Sequence, residues 1–161
     1  MQLYLAAAPC CLGNAARWGL PLLHAAYGVE ESRLTSLTLP AHVQGGLLLL
    51  TGPENPAVPQ PDTLARDILR ECLRRRYTGV VIEPQLPAAA LSALAELCRR
   101  YGRALYVAEP CGHMVPDARV VVSTALSGGT LRQRLGDACR LFGARRLALD
   151  LACVRMDFSL P

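Results

Sequence analysis

Three stretches of the chain repeat one pattern of apolar and polar positions. In each, an amphipathic segment ending in arginine passes through an aromatic residue and a glycine into a short apolar run that stops on a carboxylate. The copies occupy 68–83, 94–109 and 135–150, and they end on Glu83, Glu109 and Asp150. A helical period that gives way to a continuous apolar run predicts a helix feeding a strand buried on both faces. Leu64, Ile68, Cys72 and Leu73 supply the stripe of a helix over 62–77, with Asp62 placed to cap its free amides. Pro87 opens the next helix, whose buried face is Leu91, Leu94, Ala95 and Cys98. A third helix is predicted over 130–142. The strands that follow are 79–83, 104–109 and 146–151, and Pro84 and Pro110 close the first two.

Apolar runs at 2–7, 20–27, 45–51 and 119–123 add four more strands, and 14–18 suits a short helix. Residues 30–44 show no clear period and are expected to cross the surface. Seven strands alternating with helices predict one α/β domain over 1–161 with a mostly parallel sheet. One connection is short. Residues 110–118 separate the fifth and sixth strands, whereas a parallel crossover normally takes a dozen or more residues. Nine extended residues reach about 30 Å at roughly 3.3 Å each, so a helix-free parallel return and an antiparallel hairpin both stay open.

The chain has 161 residues, 52% of them apolar, and a mean hydropathy of +0.24, which excludes a disordered polypeptide. No apolar run has bilayer length, and no basic segment precedes the N-terminal apolar stretch, so no secretory signal is expected. Every one of the 17 basic residues is arginine, which fits the codon bias of a GC-rich bacterial genome. They gather at predicted helix ends, where they suit the negative end of the helix dipole. A nucleic-acid binder would instead collect them with aromatics on one face, so neither nucleic acid nor membrane is expected as a partner. Seven cysteines without a CxxC pair predict reduced, mostly buried thiols in a cytoplasmic protein, with no metal site and no cofactor.

Leu20-Pro-Leu-Leu-His-Ala-Ala-Tyr-Gly28, Gly46-Leu-Leu-Leu-Leu-Thr-Gly52 and Tyr77-Thr-Gly-Val-Val-Ile-Glu-Pro-Gln85 follow one another as the second, third and fourth strands do in family 18 glycoside hydrolases. The last segment resembles that family's signature Phe-Asp-Gly-Val-Asp-Ile-Asp-Trp-Glu. The resemblance implies a chitinase-like TIM barrel, here incomplete: about seven mostly parallel strands, with the last βα unit missing. Gly79 and Ile82 agree with the signature, and Glu83 stands where the family's last Asp orients the substrate acetamido group. The catalytic acid falls on Gln85, whose amide cannot protonate a leaving group. The sixth-strand pattern Met-Thr-Tyr-Asp falls on Ser123-Thr-Ala-Leu126, and the single Trp18 lies far from an eighth strand.

These residues predict a domain without chitinase activity that binds a glycan or a protein partner at the strand C-terminal face. Glu83, Glu109 and Asp150 are its candidate carboxylates, with Tyr4, Gln85, His113 and Ser123 beside them. Two alternatives remain. One is an active glycosidase using Glu83 and Glu109, since paired carboxylates at a barrel mouth can cleave glycosidic bonds. The other is a flavodoxin-like sheet holding a phosphate ligand at Gly128 and Gly129. Open first and seventh strands would invite a homodimer or a partner protein.

Overall fold

The computed structural model describes residues 5–6, 22–36, 46–53, 56–123 and 131–150, with the backbone alone for 5–6, 22–26, 36 and 150. Eight strands form one sheet: β1 (Leu5–Ala6), β2 (Leu22–Glu30), β3 (Arg33–Ser36), β4 (Leu47–Leu50), β5 (Gly79–Ile82), β6 (Ala104–Ala108), β7 (Arg119–Ser123) and β8 (Leu147–Asp150). Their spatial order is β1-β2-β4-β5-β6-β7-β8, every pair on this path is parallel, and β3 pairs antiparallel with β2 alone. Helices α1 (Pro61–Arg74), α2 (Ala88–Arg100) and α3 (Leu131–Phe142) join the later strands. Among the described residues no helix is long and apolar enough to cross a membrane. The predicted helix at 14–18 and strand residues 2–4 lie outside the described residues.

Register places the helices. Leu50, Ile82, Val107 and Val120 form one row across β4 to β7. The first three belong to a core shared with Leu64 and Ile68 of α1 and Leu91 and Leu94 of α2. Val120 packs with Ala138 and Phe142 of α3. Residues side by side in a parallel ladder point to the same face, so all three described helices cover one face of the sheet. Ala65 and Leu69 complete the buried stripe of α1, while Leu73 is exposed.

The repeated pattern has a local cause. At the end of α1, Tyr77 N–H donates to Cys72 O and Arg76 N–H to Leu73 O, with Arg76 at φ 59°. At the end of α2, Arg103 N–H donates to Cys98 O, with Gly102 at φ 62°. Both ends are Schellman-type caps, which need one left-handed residue before the chain turns into the strand. Gly79 serves another purpose: a Cβ there would lie 2.5 Å from the Ala104 carbonyl oxygen, so only glycine lets β5 approach β6. Asp62 is not the cap of α1. Gln60 holds that position and Pro61 is the first helical residue, which leaves Asp62 in the first turn beside the positive end of the dipole.

The short connection is a helix-free parallel return. β6 and β7 pair in parallel, and only a 3-10 turn over Glu109–Cys111 and further turns lie between them. Arg146, just before β8, holds this segment. Its Nε donates to Ala118 O and one terminal nitrogen donates to both Gly112 O and Val115 O, each at 2.9 Å. Its guanidinium lies 5.9 Å from the Phe142 ring centre. Buried carbonyls that no helix satisfies need such a donor.

Candidate functional site

The strand C-terminal ends carry the expected carboxylates, and register decides which of them share a face. Gly79 pairs with Ala104 and Ile82 with Val107. Glu83 continues the ladder by one residue, its N–H donating to Leu50 O at 3.1 Å. It therefore stands level with Ala108, on the face away from the helices, and it is exposed. Ala108 is in register with Val121, and Val121 with Ala148. Two residues further along this face come Ser123 and Asp150, themselves register partners. Glu83, Ser123 and the backbone position of Asp150 thus lie on the same side of the sheet. Gln85 is exposed just beyond β5, while Pro84 and Leu86 on either side are buried.

Glu109 falls elsewhere. By sequence it repeats Glu83, but β6 is slipped by one residue against that alignment, and a one-residue slip turns a side chain to the opposite face. Val107, two positions before it, sits in the core beneath the helices. Glu109 itself opens the 3-10 turn, and its carboxylate accepts a hydrogen bond from Arg134 of α3 at 3.3 Å. The expectation that Glu83 and Glu109 point together into one mouth is therefore corrected: Glu109 is turned to the helix side. His113 is also on that side, its exposed ring 4.8 Å from Phe142 of α3. Tyr4, Gly128 and Gly129 lie outside the described residues.

Sequence reasoning passed over a polar cluster within the helix-side core. Tyr27 of β2 and Tyr77 meet edge to face with ring centres 6.4 Å apart and hydroxyls 3.3 Å apart. The Tyr27 hydroxyl donates to Glu71 Oε1 at 2.7 Å. Arg74 grips the same carboxylate with two bonds of 2.7 and 2.6 Å, and Arg75 adds a third at 3.3 Å. Burial, then the bonds to Tyr77 and Glu71, push the Tyr27 hydroxyl far above its ordinary range, so it stays a neutral donor. The cluster is internally satisfied and reads as structure rather than chemistry. Its only signal in the sequence was a Tyr in each of two segments that pair with β4, and that says nothing of Glu71.

No group of three or more His, Cys, Asp or Glu side chains able to hold a metal ion converges among the described residues. The chain matches no protein-family model, no curated protein and no solved structure.

Proposed function

We propose that the domain is a barrel-wound, non-catalytic binding module whose ligand side is the strand C-terminal face, with a glycan fragment as its ligand. The observation that carries this reading is the winding. Each strand on the parallel path lies beside its predecessor, and the described helices cover one face. That is how a (β/α) barrel is wound, and such barrels hold ligands at the strand C-terminal ends. A doubly wound sheet reverses its strand order and carries helices on both faces; the described residues show neither. At the ligand face, exposed Glu83 and Gln85 offer an acceptor and an amide for sugar hydroxyl or acetamido groups.

Two facts argue against hydrolysis. Gln85 cannot act as an acid, and Glu109 is turned away.

The test is an NMR titration with an N-acetylglucosamine oligomer, run beside hydrolysis of a chromogenic N-acetylglucosaminide. Shifts centred on Glu83, Gln85 and Ser123 without turnover are expected. Turnover that disappears in Glu83→Gln would overturn the non-catalytic reading, and shifts confined to the helix side would overturn the site. β1 and β8 end the described sheet, and open edges favour pairing with a second copy or a partner. A purely monomeric sedimentation profile at micromolar concentration would count against self-pairing.

A further inference from the structure

A pocket of about 260 Å³ opens at the opposite end of the strands, between the last turn of α2 and the starts of β6 and β7. Cys98, Arg99, Arg103, Asp117 and Arg119 supply its polar lining. Three arginines thus share the lining with one carboxylate. Glu96 compensates Arg99 from outside the lining, with bonds of 2.7 to 3.2 Å, and Asp117 also acts on Arg99. Arg119 is exposed; it donates to the Tyr106 hydroxyl at 2.7 Å and stands over that ring.

Arg103 is the informative member. Its Nε is buried and has no hydrogen-bond partner among the described residues. Charged groups taken from water without a partner are costly, so an anion in the pocket that Arg103 lines would offset this unmet charge. The two thiols that feel the charge of Arg103 do not supply an anion. Burial pushes the Cys98 thiol up to about 12 and the Cys72 thiol up to about 11, against the opposing charge of Arg103. Both stay neutral at physiological pH.

We propose that this pocket binds a phosphate group, either free or carried by a small organic molecule. A tetrahedral dianion can accept from several guanidinium forks at once, which a two-oxygen carboxylate does less well. The volume equals that of roughly nine waters at about 30 Å³ each, enough for a phosphate with a short organic tail. This site is independent of the strand C-terminal face.

The test is thermal denaturation and calorimetric titration of the full chain in a buffer free of phosphate and sulfate. Orthophosphate and glycerol 3-phosphate are the two probes, and chloride at matched ionic strength is the control. Both probes should raise Tm at millimolar concentration while chloride does not. Tighter binding of the ester identifies an organic phosphate as the ligand, and tighter binding of orthophosphate identifies the free ion. Arg103→Met, which keeps the apolar stem, should weaken binding by about tenfold or more without lowering the Tm of the unliganded protein. A Tm rise no greater than that with chloride, or an equal rise in Arg103→Met, overturns the proposal. Should Arg103→Met not fold, Arg119→Gln at the exposed rim decides, and unchanged affinity in that variant also overturns it.

Discussion

Arg146→Met tests how the chain returns from β6 to β7 without a helix. The substitution keeps an apolar stem against Phe142 and removes three bonds of 2.9 Å to the carbonyls of Gly112, Val115 and Ala118. Hydrogen bonds from a charged donor contribute about 1.5–3 kcal/mol each. The three share one side chain and are not additive. Arg146 is also only half-buried, so water replaces part of what is lost. A net loss of about 3 kcal/mol follows. For a chain of 161 residues, each kcal/mol moves Tm by roughly 2–4 °C, giving a fall of about 6–12 °C. Arg146→Lys should recover only part of it, because an ammonium lacks the planar fork that reaches separated carbonyls. Hydrogen exchange locates the effect. The N–H groups of Gly112, Met114 and Ala118, bonded within this segment, should lose protection while those of β5 keep theirs. A Tm within about 2 °C of the parent, with unchanged exchange in this segment, would refute the anchoring role.

Other perturbations probe the remaining contacts. Gly79→Ala puts a Cβ 2.5 Å from a backbone oxygen of Ala104; overpacking against backbone should cost about 3 kcal/mol or more, read as a lower urea midpoint. Tyr27→Phe removes the donor to Glu71 and should cost about 1–2 kcal/mol by the same assay. Burial alone pushes the Glu71 carboxyl up, but hydrogen bonds from Arg74 and Tyr27 and the charges of Arg74 and Arg75 outweigh it and hold it below its ordinary value of 4.5. A lowered folded value contributes stability above the unfolded value and loses it as pH falls through the folded one. Stability of Glu71→Gln should therefore fall less steeply than that of the parent below about pH 4.5. Among the described cysteines, exposed Cys139 should react with a thiol reagent in the native state well before buried Cys72 and Cys98, as mass-spectrometric mapping would show.

The runs at 79–83, 104–109 and 119–123 were legible because each is a short, nearly continuous apolar run of strand length. β3 was not. It is a short outer strand with alternating polar residues, reached through a two-residue turn at Glu31 and Ser32 with φ of 44° and 67°. Such a turn normally advertises itself with Asn-Gly or Asp-Gly, and Glu-Ser carries no such mark. Tertiary contact supports it instead: Ser32 is buried, and its hydroxyl accepts the Gln60 N–H at 2.8 Å. The anchoring role of Arg146 was equally hidden, because its three acceptors lie 28 to 34 residues away.

The thrice-repeated pattern by itself determined that this is an α/β chain with carboxylates at strand ends, since periodicity and apolar run length depend only on local order. Which carboxylates share a side was decided by register. Gly79 can lie against Ala104 only because it has no side chain, and that contact sets β6 one residue out of step with the repeat. Glu83 consequently keeps the face away from the helices, the side on which the backbone position of Asp150 also lies, while Glu109 turns to Arg134. A strand has a period of two, so a slip too small to see in the sequence separates residues that the sequence alone makes equivalent.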